Sequence, residues 1–231
     1  MYIIVKILII VIILLFYLKN KNKATFGNKK KIKFTNNGYS KNDAAYTMPI
    51  IEQNMITPNE ADYIKRITEK SFKDSEIIGG FDTNIRKSQT TWLYKDDPII
   101  YNIIKRICDQ YGYPIENAEP LQVVKYKPGG FYNDHHDSCC DTNDKCTDFV
   151  QNGGQRVLTV LIYLNDDFEG GATKFSELGT EIKPPKYGSI IFRPLADNSN
   201  TCHPLGLHKG MPVTSGTKII CNLWIREGEY K

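Results

Sequence analysis

Leu121-Gln122-Val123-Val124-Lys125-Tyr126-Lys127-Pro128-Gly129-Gly130-Phe131-Tyr132-Asn133-Asp134-His135-His136-Asp137 is the stretch on which the fold turns. Its first six residues alternate, so Gln122, Val124 and Tyr126 share one face of a strand. Lys127-Pro128-Gly129-Gly130 then supplies a turn. The segment after it is extended again, and there side chains two apart point the same way. His135 and Asp137 therefore share a face, and His136 points off it.

The periodicity differs on either side of this stretch. Upstream, Thr57-Pro58-Asn59-Glu60 combines a capping box with proline at the first helical position, and Ala61, Ile64 and Ile67 form one face behind it. Asp97-Pro98 opens a second helix with the stripe Ile100, Ile103, Ile104, Ile107 and Tyr111, closed by Gly112. Downstream, strands are expected at 156–164, 188–193 and 218–225, broken by Asn165-Asp166-Asp167 and Glu169-Gly170-Gly171. Two helices followed by a run of strands imply an α+β fold, an antiparallel sandwich or open barrel backed by helices.

The net charge of +4 describes neither part of the chain. Residues 1–42 hold nine lysines and no acid, which leaves 21 basic against 26 acidic groups and a body of net −5. An acidic body argues against nucleic acid as a partner, because phosphate contacts need basic residues. Residues 7–18 are an unbroken apolar run, so 1–18 reads as a single transmembrane anchor helix and the Lys/Asn-rich 19–43 as a tether, with a cleaved signal peptide (no small-x-small site follows) and a buried core helix as the alternatives. Residues 44–231 are then one domain with a sizeable core. Lysines on the C-terminal flank of the anchor favour a cytoplasmic-facing body.

The body has four histidines. One imidazole and one carboxylate on the same face, His135 and Asp137, can each give a bond to a metal, and His208 is a candidate third ligand. Two imidazoles and a carboxylate describe the facial triad of non-haem Fe(II) oxygenases, with three positions left open. A surface turn rich in His and Asp has the same local composition, so the pair alone does not decide. Lys218 adds weight. It opens an apolar strand whose alternation puts Lys218, Ile220, Asn222 and Trp224 on one face and Ile219, Cys221, Leu223 and Ile225 on the other. If the first face lines a barrel interior, the ammonium needs an anion, which a metal-chelating dicarboxylate would supply. A solvated lysine at a strand end is the plainer alternative.

At this point the chain resembles the prolyl 4-hydroxylases, among the 2-oxoglutarate, Fe(II)-dependent dioxygenases. The likeness runs from about residue 50 to 226. It includes Arg86-Lys87-Ser88, Asp97-Pro98, the run 116–126, Gly129-Gly130-Phe131-Tyr132 with His135-His136-Asp137, Arg156, Thr159, Tyr163-Leu164-Asn165, Glu169-Gly170-Gly171, Leu207-His208, Pro212-Val213, Lys218 and Trp224-Ile225. The resemblance implies a double-stranded β-helix (jelly roll) with N-terminal helices packed on it. It implies that His135, Asp137 and His208 hold Fe(II), that Lys218 binds the distal carboxylate of 2-oxoglutarate, and that Tyr126 and Thr159 help hold that cosubstrate. Tyr132, Arg156 and Trp224 match positions near the substrate peptide. The implied reaction consumes O₂ and 2-oxoglutarate, gives succinate and CO₂, and hydroxylates peptidyl proline, with collagen-like repeats among the substrates and L-ascorbate as reductant. It also implies a membrane-anchored enzyme with its catalytic domain in the lumen of the endoplasmic reticulum, against the orientation the lysines favour. A 2-oxoglutarate oxygenase acting on lysyl residues or a small molecule is the alternative, and a non-catalytic binding module the third. Gly79–Asn84 and Lys127–Gly130 are candidate lids.

One stretch departs from the pattern. Cys139, Cys140 and Cys146 follow the metal pair, and Cys202 and His203 precede His208 by six and five residues. Free thiols, a disulfide from Cys146 to Cys139 or Cys140, and a zinc site all remain open, although Cys-Cys-x5-Cys is no standard finger spacing. Cys108 and Cys221 sit on apolar faces as core residues.

Overall fold

A computed structural model describes residues 45–77, 80, 82–140 and 144–231. Three helices occur there: α1 (Pro58–Thr68), α2 (Pro98–Tyr111) and α3 (Asp144–Gln151). In chain order the strands are β1 (Ile50–Glu52), β2 (Lys73–Asp74), β3 (Arg86–Lys87), β4 (Gln89–Leu93), β5 (Leu121–Tyr126), β6 (Phe131–His135) and β7 (Arg156–Tyr163). They continue with β8 (Phe168–Gly170), β9 (Thr173–Phe175), β10 (Thr180–Ile182), β11 (Ser189–Phe192), β12 (His208–Gly210), β13 (Val213–Gly216) and β14 (Lys218–Arg226).

The helices begin where the sequence places their caps. Thr57 and Glu60 exchange the two hydrogen bonds of a capping box at α1, and Asp97 accepts from the amides of Ile99 and Ile100 at α2. Gly112 ends α2 in the left-handed conformation, φ +75°, which costs glycine nothing. The apolar faces of α1 and α2, with Ile64, Ile100, Ile103, Ile104 and Ile107 fully buried, lie against one side of a large sheet. Each such side chain contributes about 1.5–3 kcal/mol by leaving water.

That sheet has seven strands in the order β1-β11-β7-β14-β5-β4-β2, and a second has five in the order β10-β9-β12-β6-β3. The pairs are antiparallel throughout, and β13 and β8 make a separate ribbon. Strand alternation divides the interior into two cores. Val123, Cys221, Leu223, Ile225, Leu158, Val160 and Ile162 face the helices. Val124, Tyr126, Leu161, Tyr163, Ile220 and Phe192 face the other way and meet Phe175 and Ile182 from the five-stranded sheet. Two facing sheets backed by helices are the jelly-roll architecture expected from the sequence.

One expectation is corrected. Among the described residues no helix is long and apolar enough to cross a membrane, so the reading as a single-pass membrane protein with a lumenal domain in the endoplasmic reticulum does not stand. The physical reason is length. The longest described helix, α2, has 14 residues, against the ~20 needed to span a hydrocarbon core. The stretches read as anchor (1–18) and tether (19–43) lie outside the described residues, as do Gly79 and Phe81 of the first candidate lid.

Candidate active site

β6 and β12 are adjacent antiparallel strands, and their register sets His208 directly opposite His135. Asp137 follows β6 by two residues. The three side chains, 73 residues apart at the extreme, come together so that one ligand atom from each lies within 4.8 Å of the others. Nε2 of His135 is 3.8 Å from Asp137 Oδ1, and Nε2 of His208 is 3.9 Å from Oδ2. The far ring nitrogens are engaged elsewhere. His135 Nδ1 meets the Asn133 carbonyl at 2.7 Å, and His208 Nδ1 meets that of Gly206 at 3.0 Å. A carbonyl accepts only from N–H, so each Nε2 is left with its lone pair directed to the common centre.

Protonation follows the same logic. Burial first, and then neighbouring His208, hold His135 well below the usual imidazole range. Burial pushes Asp137 upward. His208, His135, Arg156 and a hydrogen bond from Thr159 outweigh it and keep the carboxyl below its usual range. A neutral imidazole and an ionised carboxylate are the forms that bind a cation. The donor set therefore fits Fe(II), as the sequence implies.

Lys218 is 2 % exposed. Its Nζ donates to the Gly171 carbonyl at 2.6 Å and otherwise faces the rings of Tyr163 and Tyr126, at 4.8 and 5.3 Å. Among the described residues no carboxylate pairs with it. Burial, with help from Lys183, pushes its ammonium down to about 7. A buried cation with an incomplete shell fits a ligand carboxylate. Gly171 lets the chain approach this closely: a Cβ there would stand 3.1 Å from Lys218 Cδ and 2.9 Å from Phe168, at φ +64°.

Lys218, Ile220, Asn222, Trp224 and Arg226, every second residue of β14, line one cavity of about 360 Å³ together with the three ligands. Tyr126 and Tyr132 line it too, the latter stacked on His135 with centroids 3.6 Å apart. The Thr159 hydroxyl donates to Asp137 Oδ2 at 2.7 Å. Arg156 stacks on Trp224 at 3.6 Å and pairs with Glu119 through Nε and Nη2, at 2.6 and 2.8 Å. The Trp224 indole N–H is buried and has no acceptor among the described residues.

Sequence reasoning missed three contributors. Glu119, 2 % exposed, also accepts from Arg226 Nε at 2.6 Å and so bridges two guanidiniums. Arg226 was recoverable by extending the β14 alternation one step. Phe149 of α3 lines the cavity beneath Arg226, ring to guanidinium 4.0 Å, and no local pattern marks it. The cysteines pair as Cys139–Cys146 and Cys140–Cys202, while Cys108 and Cys221 are free and buried.

Residues 121–226 match the 2OG-Fe(II) oxygenase superfamily. Over 192 residues the chain is 47 % identical to a protein of Acanthamoeba polyphaga mimivirus assigned as a prolyl 4-hydroxylase, covering 83 % of this chain and 79 % of that one. It is 32 % identical to prolyl 4-hydroxylase 1 of Arabidopsis thaliana over 77 % of this chain and 68 % of that one. The crystal structure of the viral collagen prolyl hydroxylase of Paramecium Bursaria Chlorella virus-1 with 2OG superposes with a TM-score of 0.61 at 28 % identity, covering 78 % of this chain and 96 % of that one. With the ligand triad, the buried lysine and the jelly roll all in place, the chain belongs to the prolyl 4-hydroxylase family of 2-oxoglutarate, Fe(II)-dependent oxygenases.

Proposed function

We propose that residues 44–231 form a catalytic domain that hydroxylates proline within a peptide, consuming O₂ and 2-oxoglutarate and using ascorbate as reductant. The observation that carries this reading is the pairing of a three-ligand cluster with a buried, anion-seeking Lys218 in one cavity. Bound at His135, Asp137 and His208, Fe(II) supplies oxidative decarboxylation of the keto acid coupled to hydroxylation of the substrate carbon.

The chain's own residues supply binding and geometry. Lys218 neutralises the distal carboxylate of 2-oxoglutarate, and the Tyr126 and Tyr163 rings keep water from it. Thr159 fixes the orientation of Asp137. Tyr132, Arg156 and Trp224 contact the peptide. The buried Trp224 N–H needs an acceptor, and a peptide carbonyl is the natural one. Glu119 offsets one of the two guanidinium charges it holds, and the faces of Trp224 and Phe149 beside them suit an uncharged proline ring. Collagen-like repeats are the substrates to try first, given the name of the chlorovirus relative.

The test incubates the full chain with Fe(II), 2-oxoglutarate, ascorbate and a panel of proline-containing peptides. The expected result is a gain of one oxygen atom on proline with one succinate formed per hydroxylation. Succinate release driven only by a non-peptide compound would overturn the peptide assignment.

A further inference from the structure

His136 borders the same cavity as His135 and Asp137, while alternation aims its ring off the face they share. There it meets a second cluster. One ligand atom of His136 and the sulfurs of Cys140 and Cys202 lie within 4.8 Å of one another. The two sulfurs are joined as a disulfide with Cα atoms 5.4 Å apart. His136 Nδ1 is buried and has no hydrogen-bond partner among the described residues, which costs free energy unless a ligand occupies it. Both sulfurs also approach the Ser138 carbonyl, Cys140 at 3.2 Å and Cys202 at 3.7 Å. A disulfide cannot donate to that oxygen, but two thiols can. The side chains around these sulfurs therefore suit a reduced state as well as the oxidised one.

We propose that His136, Cys140 and Cys202 form a redox-gated site for a thiophilic divalent cation, Zn(II), adjoining the iron site. A dithiol reductant breaks the Cys140–Cys202 S–S bond by giving two electrons and two protons and itself becomes a disulfide. Zn(II) then displaces the two thiol protons and binds two thiolates and one imidazole. A Cys₂His set with a fourth position for water matches known zinc stereochemistry. A small-molecule disulfide then takes two electrons from the thiolates and two protons from water to become a dithiol, re-forming the Cys140–Cys202 bond and releasing Zn(II). Because His136 lies between two iron ligands in sequence and Cys202 precedes the third by six residues, occupancy of one site acts on the backbone of the other.

Iron-loaded full chain is prepared oxidised and after anaerobic reduction, each is exposed to Zn(II) and freed of excess, and both metals are counted. The reduced protein is expected to retain its iron and hold one more equivalent of zinc than the oxidised protein. Co(II) in place of Zn(II) is expected to give sulfur-to-cobalt charge-transfer absorption in the reduced protein alone. His136→Gln, which leaves the disulfide and fold intact, is expected to weaken zinc at least tenfold, and Cys202→Ser to abolish the cobalt band. Equal zinc in both redox states, zinc gained only as iron is lost, or unchanged affinity in His136→Gln would each overturn the proposal. Metal counting involves no turnover, so a failure here is separate from a failure of the hydroxylase reading.

Discussion

The two ends of β14 bury charge in opposite circumstances. At one end Lys218 has a single carbonyl and two ring faces for company. Six residues on, Trp224 begins a region where the single carboxylate of Glu119 holds the two guanidiniums of Arg156 and Arg226 together, a cluster of net charge +1. Burying a cation without a partner is costly, and burying a paired one is tolerable. The first end is thus incomplete without an anion, whereas at the second each cation has a carboxylate contact and an aromatic face beside it. On the proposed reading, the strand offers one end to a charged small ligand and the other to a peptide.

The largest effect falls on the ground common to both ends. Asp137→Ala removes the only carboxylate of the triad and is expected to abolish both iron retention and turnover, read by metal content and succinate release. Iron kept at wild-type stoichiometry would show that the triad is not the metal site.

Lys218→Met breaks the contrast from the charged end. Loss of one partner of a buried ion pair costs about 3–5 kcal/mol, or roughly 10²–10³ in the 2-oxoglutarate requirement, with iron content and peptide KM held. The same variant is expected to melt higher than wild type without cosubstrate, because an unpaired buried ammonium has gone. The pH dependence has a definite sign. Lys218 is held near 7 when folded, against about 10.4 in an unfolded chain. Between those values the unfolded state binds more protons, so the ligand-free protein gains stability as pH rises through this window, relative to Lys218→Met. Affinity for 2-oxoglutarate runs the other way. It is full below about pH 7 and falls as the ammonium deprotonates. A titration in which wild type and Lys218→Met share one pH profile would remove the assigned role.

Thr159→Val sharpens the comparison at the boundary. The hydroxyl donates to Asp137 at 2.7 Å, and losing such support to a metal ligand typically costs about 10–100-fold in metal affinity. If Thr159 instead served 2-oxoglutarate, its KM would rise while the iron titration stayed unchanged.

The legible parts of this molecule are those written in local periodicity. The β14 alternation, with a lysine at the head of an apolar strand, led directly to one wall of the cavity. The two helix caps were readable because each is four residues of backbone chemistry. β12 spans only His208–Gly210, too short for any period, so its ligand was legible only as a rare histidine. Glu119 and Arg226 are 107 residues apart, and pairing at that range leaves no local trace. Alternation put Thr159 on its face of the strand but could not show that its hydroxyl meets Asp137, because a two-residue period does not say which neighbour a hydroxyl meets. Cysteine connectivity was undetermined for the same reason: spacing restricts pairings without choosing among them.

The smallest effect tests the aromatic end, and it has two parts of opposite sign. Trp224 lines the cavity, and its N–H is buried without an acceptor. Trp224→Phe keeps an aromatic face for the Arg156 guanidinium, which lies 3.6 Å from the ring, and deletes the donor. Without substrate that deletion relieves an unsatisfied group worth about 1–3 kcal/mol, partly offset by lost packing, so the free protein is expected to be no less stable. With a peptide bound, a hydrogen bond of about 0.5–1.5 kcal/mol is missing, and peptide KM is expected to rise roughly two- to tenfold. The 2-oxoglutarate KM stays put, since Lys218 is six residues away at the other end of the strand. A variant that lost stability and peptide affinity together would make Trp224 a packing residue. One that raised the 2-oxoglutarate KM would join the two ends that the structure holds apart.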